Sequence, residues 1–189
     1  MILFVTGCGG FASLIQPKFI QYNGGKQAVA SAYHLSKKPF FFSELIDTSA
    51  IYRTSEILTI SDRHGKVLYR DLTYYSYLRF NAKGVVFNSS RMLEYPTDEI
   101  ANSMDRGQYC FYVVKDSIVK IEIYNWDTRL FEYWFGKIQA NGDIQFYRRK
   151  GRPWGTYRGK LEYTYKKTPA NLTRPIVFPT EEWENEWYY

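Results

Sequence analysis

The chain has 189 residues, 45% hydrophobic and 23% charged, which fits one globular domain with a short leader or tail and excludes general disorder. Two cysteines are too few for a disulfide framework, and no apolar run reaches the roughly 18 residues that a membrane-spanning helix needs. The net charge of +6 permits contact with acidic polymers or anionic surfaces, while 18 Tyr, 13 Phe and 5 Trp lean the composition towards β structure.

The first residues, Met1 to Phe11, carry a short apolar run and then Thr6-Gly7-Cys8-Gly9-Gly10. This turn is similar to the TGxxGxxG turn of short-chain dehydrogenases, and Tyr33 with Lys37 imitates that family's YxxxK pair. The context opposes it. Pro17 interrupts the helix such a turn should open, and Phe19 to Lys38 contains no acidic residue for a ribose. No strand–helix alternation follows, so a nucleotide-dependent oxidoreductase is only the remote alternative.

Val5-Thr6-Gly7-Cys8 also resembles the lipobox of bacterial lipoproteins. The resemblance implies that residues 1–7 end a signal peptide whose start lies upstream. It further implies that Cys8 becomes lipidated and carries palmitate-type acyl chains. The place implied is the bacterial cell envelope, at the outer membrane in a diderm. The membrane would then be a partner through the N-terminal lipid anchor. The competing reading of Cys8 is a buried residue on a first strand.

Residues 8–42 read as a tether and connector, with breakers at Asn23-Gly24-Gly25 and Lys37-Lys38-Pro39. Between them, Lys26 to Ser36 predicts a short helix with Ala28, Val29, Ala32 and Leu35 inward. Residues 43–167 predict a β domain. A first strand spans Glu44 to Arg53. Hairpins follow at Ile57 to Tyr69, around Asp62-Arg63-His64-Gly65, and at Tyr75 to Asn88, around Asn81-Ala82-Lys83-Gly84. Pro96 to Met104 reads as a short helix with Asp98 and Glu99 in its first turn. Strands return at Gln108–Val114, Ser117–Tyr124, Thr128–Gln139, Asp143–Arg149 and Gly159–Lys166, with an Asn-Gly hairpin signal at Asn141-Gly142.

Within these strands the period is two: Val119, Ile121 and Ile123 share one face, and Lys120 and Glu122 the other. Roughly nine or ten strands joined by short turns predict an all-β fold, an antiparallel up-and-down meander closed into a barrel, with a tail at 168–189. Leu45 to Tyr52, then Tyr77-Leu78-Arg79-Phe80-Asn81-Ala82-Lys83-Gly84, with Gly107-Gln108-Tyr109 beyond, look like small bacterial lipoproteins with lipocalin-like barrels. That resemblance implies fold more than function.

Chemistry-bearing residues are few. His34 and His64 fall in a connector and a turn, and no spacing supports a metal site, a cofactor or a catalytic group. Phe131, Tyr133 and Phe135 share one face of an aromatic strand, with Trp134 opposite, and are the candidates for lining a cavity that takes a small apolar ligand. The basic stretch Arg148, Arg149, Lys150, Arg152, Trp154 and Arg158 is the candidate contact for an anionic partner, read as a hairpin loop. A headgroup, glycan or envelope protein is favoured there over nucleic acid. The function expected is therefore a non-catalytic envelope lipoprotein binding a small apolar ligand or an envelope partner. A filled barrel using residues 148–160 is the alternative.

Overall fold

The computed structural model describes residues 18–22, 25–61, 64, 66–152 and 158–179. A small antiparallel hairpin, β1 (Phe19–Tyr22) with β2 (Gly25–Ala28), comes first. Then β3 (Ala50–Ser61), β4 (Val67–Phe80), β5 (Val85–Met92), β6 (Gln108–Lys115), β7 (Ile118–Asn125), β8 (Leu130–Ile138), β9 (Ile144–Arg152) and β10 (Arg158–Pro169) follow one another around a closed antiparallel barrel. β10 returns to β3 through Lys166–Pro169 against Ala50–Arg53. Closure leaves the sheet without a free side, which is how a long meander avoids templating aggregation. The all-β up-and-down barrel with one short helix expected from the sequence is the fold.

The helix, α1 (Asp98–Ser103), lies between β5 and β6 as predicted. The Thr97 hydroxyl accepts from the Ile100 amide, and Met104 ends the helix in the left-handed region at φ 52°.

Tight turns gather at one end of the barrel. At Asn81–Gly84 the Asn81 Oδ1 accepts from the amides of Lys83 and Val85, both at 2.9 Å. Gly84 takes φ +85°, and a Cβ there would stand 2.6 Å from the Phe40 ring. Both the turn and the close approach of Phe40 therefore require glycine. Asn141 and Gly142 repeat the device at the β8–β9 turn, where Asp143 N donates to Asn141 Oδ1 at 3.0 Å.

Two segments differ from the sequence expectation. Glu44 to Ile46 is not strand, because Asp47 Oδ1 holds a turn by accepting from the Ser49 amide (3.0 Å) and hydroxyl (2.6 Å). Strand β3 starts after that turn and runs unbroken through Ile57–Ile60, so two predicted strands are one. Lys26–Ser36 is not an α-helix but the end of β2 and two single-turn 3₁₀ helices, Ala30–Ala32 and Leu35–Lys37. The reason is Gln27. Its side-chain amide donates to Tyr109 O (3.0 Å) and accepts from Tyr109 N (2.9 Å), which holds the chain extended along the barrel wall.

Three apolar clusters result. The first fills the bore at the tight-turn end, with Tyr52, Phe80, Tyr112 and Phe146 from the wall and Phe40 and Ile46 entering from the preceding segment. The second lies outside β3–β6, where Tyr77, Phe87 and Tyr109 are covered by α1 and by a C-terminal strap carrying Leu172, Ile176 and Phe178. The third puts Ala28 and Tyr33 on Tyr124 and Phe131, again outside the barrel. The described part of the expected connector is thus laid on the wall as far as Leu35, and its Phe40 enters the bore. Residues 1–17, including the expected signal end and Cys8, lie outside the described residues, as do residues 180–189 of the tail.

Arg79, just before the Asn81–Gly84 turn, clamps the strap. It is 3% exposed and donates from Nη1 to Ala101 O (2.5 Å) and from Nη2 to Arg174 O (2.7 Å). Desolvation by burial pushes its guanidinium down from its ordinary value. The strap is further stitched by Asn102, whose Oδ1 accepts from Thr173 N at 2.9 Å, and by Asn81 Nδ2 donating to Ile176 O at 2.9 Å.

Candidate functional site

The bore divides into two halves. At the closed end apolar and aromatic side chains fill the bore, and rings interlock edge to face: Phe80 sits 5.2 Å from Tyr52 and 4.8 Å from Tyr112, and Phe40 closes over Tyr112 at 5.3 Å. Gly136 makes room for this filling, since a Cβ there would stand 2.7 Å from Ile144 Cγ2. Cys110 belongs to this half, fully buried, and desolvation pushes its thiol well up, away from the reactive thiolate.

Towards the other end the bore opens into a cavity of about 350 Å³. All eight strands line it: Thr54 and Glu56 from β3, Ser76 from β4, Asn88 from β5, Gln108 from β6, Ile123 and Asn125 from β7, Glu132 and Trp134 from β8, Arg149 from β9, and Leu161, Tyr163 and Tyr165 from β10. Its rim carries Trp126 and Asp127 of the β7–β8 turn. Barrels of about eight strands leave room for side chains or one small ligand, and here one half does each.

The polar groups in the cup are buried or half-buried. Glu132 is 2% exposed, and its Oε1 accepts from Trp134 Nε1 (3.0 Å) and Asn125 Nδ2 (3.1 Å). Asn88 is 4% exposed, and its Oδ1 has no hydrogen-bond partner among the described residues. Tyr165 shares a hydrogen bond with Ser76, and burial pushes its phenol well above the ordinary tyrosine value.

Arg149 enters the cup because β9 carries a bulge. The pairing with β8 shifts between Phe135 and Gly136, which face Arg148 and Phe146. Tyr147 is the extra residue, so the regular alternation slips by one and Arg149 turns inward. It faces Gly159 on β10, where a Cβ would stand 2.7 Å from Arg149 Nε. The missing side chain at Gly159 is the space the guanidinium stem occupies.

The residues singled out from the sequence fall in different places. Phe131, Tyr133 and Phe135 stand on the outer wall. Phe131 packs edge-on to Tyr33 at 4.9 Å, and Tyr133 and Phe135 hold cations (described below). The ring that lines the cavity is Trp134, their opposite neighbour. The sequence placed the two faces correctly relative to each other. It could not say which was inside, because the outer wall is also covered and also rich in rings.

The basic stretch is strand rather than loop, with Arg148–Arg152 in β9 and Arg158–Lys160 in β10. Arg148, Lys150 and Arg158 face outward in register, while Arg149 goes to the cup. Trp154 and the Arg152 side chain lie outside the described residues. Sequence reasoning missed Glu56, Asn88, Gln108, Glu132 and Arg149 as cavity groups. The usable signal was polar residues in the inward parity of strands that are apolar nearer the closed end.

Among the described residues no group of three His, Cys, Asp or Glu side chains is placed to hold a metal ion, and no helix is long and apolar enough to cross a membrane. Comparison with protein-family models, with curated proteins and with solved structures finds no match. The class defined by fold and site is a closed eight-stranded antiparallel barrel with one filled and one hollow half.

Proposed function

We propose that this protein is a non-catalytic binding protein that takes one small ligand into the hollow half of the barrel, and that a lipid on Cys8 tethers it to a membrane of the bacterial envelope. The observation that carries the binding reading is the 350 Å³ cup with hydrogen-bonding side chains from every strand around it. A wholly apolar ligand would leave Asn88 Oδ1, which has no hydrogen-bond partner among the described residues, and the half-buried Gln108 without new partners, at a cost of about 1–3 kcal/mol per group. The ligand that fits is therefore polar with an apolar or ring face to set against Trp134 and Tyr163.

Fluorescence of the full chain, titrated with monosaccharides, disaccharides and amino acids on one side and fatty acids on the other, tests this. Quenching by members of the polar set, lost in Trp134→Phe and weakened in Arg149→Met, is the expected result. Binding confined to the fatty acids overturns the polar reading, and silence from both sets overturns the binding reading. The tether is tested separately: palmitate labelling in a bacterial host should vanish in Cys8→Ala, and labelling that survives the substitution unchanged rules it out.

A further inference from the structure

The outer wall of the barrel is mostly covered, but not everywhere. The N-terminal segment and the C-terminal strap bury the outside of β3–β8 at Ile51, Tyr77, Phe87, Tyr109, Tyr124 and Phe131. Beyond them, the outside of β7–β10 towards the closed end bears cations in register. Lys120 pairs across to Phe135, Phe135 to Arg148, and Arg148 to Lys160. One step towards the open end, Tyr133 pairs to Lys150 and Lys150 to Arg158. The bulge that sends Arg149 inward is also what keeps Arg148 outward, so one irregularity sets the charge of both surfaces.

Among the described residues, the acidic neighbours of these cations leave most of their charge uncompensated. Glu122, the nearest carboxylate on β7, is fully buried, and its Oε2 accepts from Leu35 N at 2.6 Å. Glu162 bonds Lys160. Lys120, Arg148 and Lys150 make no ion pair with a described residue. Lys38 stands near as well. Partial burial and then the charges of Lys38 and Lys150 hold the Lys120 ammonium below its ordinary value, against the opposing pull of Glu122. Such a cluster of like charges is costly until an anion arrives.

The rings among them are already in use. Lys120 Nζ lies 3.7 Å from the Tyr133 ring centroid, and Arg148 Cζ lies 4.1 Å from that of Phe135. Cation–π contacts of this kind fix the cations outward on a rigid wall. They also occupy the ring faces on which bases would stack, and stacking is what single-stranded nucleic acid requires. The convex wall at these cations suits a surface of phosphates better than an enclosed strand.

We propose that the outer wall of β7–β10, through Lys120, Arg148, Lys150 and Arg158, docks the barrel on a membrane surface rich in anionic phospholipid headgroups. The contact is electrostatic, separate from the cup, and independent of whether Cys8 carries a lipid. Each Lys or Arg near such a surface changes partitioning about fivefold, and added salt weakens the attraction because screening acts over about 8 Å at physiological ionic strength.

The test is co-sedimentation of the full chain bearing Cys8→Ala with phosphatidylglycerol-containing vesicles and with pure phosphatidylcholine vesicles. Binding should be confined to the anionic vesicles and fall as salt is added. The pair Arg148→Gln and Lys150→Gln should lower the partition coefficient about 25-fold, while Lys83→Gln, at a closed-end turn, leaves it within twofold. If that pair lowers the melting temperature, Lys120→Gln with Arg158→Gln should give a similar loss in a folded protein. Equal partitioning of all variants, or no partitioning of the parent, overturns the proposal. So does binding of a single-stranded oligonucleotide by a chain that leaves the vesicles unbound.

Discussion

Followed from the closed end to the open end, the inward side chains of each strand change character. Tyr52 gives way to Thr54 and Glu56 on β3, Leu78 to Ser76 on β4, Val86 to Asn88 on β5, Cys110 to Gln108 on β6, and Ile121 to Asn125 on β7. The two halves share one hydrogen-bonded wall yet hold opposite chemistry. The filled half carries the burial that holds the fold. The hollow half is therefore free to keep groups that a core would reject, since cost follows from burying them unpaired rather than from the strand that bears them.

The largest way to break this contrast is alkali. Burial is the main cause raising the phenols of Tyr33, Tyr52, Tyr77, Tyr112 and Tyr165, with Tyr52 pushed up to about 12 from 10.0. A folded value above the unfolded one means that this stability is complete below about pH 10 and is lost as pH rises through about 12. Tyrosinate absorbance should rise in two stages, the exposed phenols first. The second stage should coincide with loss of the far-ultraviolet β signal; a single smooth rise ahead of unfolding would contradict the packing described.

Next in size, Phe80→Ala removes a ring from the filled half and should cost about 3–5 kcal/mol in denaturant unfolding. A loss under about 1 kcal/mol would show that this half is not the stabilising core. Gly136→Val adds bulk at the same place, 2.7 Å from Ile144 Cγ2 and 3.0 Å from Phe146 Cδ1 for its first carbon. About 1–3 kcal/mol of destabilisation is expected, read as a lower melting temperature.

The smallest effect on stability should come from the hollow half. Asn88→Leu replaces a buried amide whose Oδ1 lacks a described partner with an apolar side chain of similar size. Its unfolding free energy should stay within about 1 kcal/mol of the parent, or improve. The same variant should lose the ligand-dependent fluorescence change. A large destabilisation with binding intact would reverse the roles assigned to the two halves.

Much of the fold is legible in the residues. Asn81–Gly84 and Asn141-Gly142 mark turns by their own chemistry, and Pro96 with Asp98 and Glu99 marks α1. Alternation at Ile118–Tyr124 separates two faces. The site is less legible for two reasons. Period two says which residues share a face but not which face is inside, and Trp134 changes places with Phe135 once the outer wall is also packed. A bulge has no reliable residue signature, and the one in β9 decides that Arg149 faces the cup while Arg148 and Lys150 face outward.

The sequence by itself determined a meander of antiparallel strands, its hairpin turns and the position of its helix, because those depend on backbone preferences acting over a few residues. Only the tertiary structure decided where the bore is filled and where it is hollow, which aromatic face is internal, and how the basic residues are divided between cup and wall. Those outcomes depend on barrel closure, strand register and the segments that cover the wall, and each of these joins residues far apart in the chain.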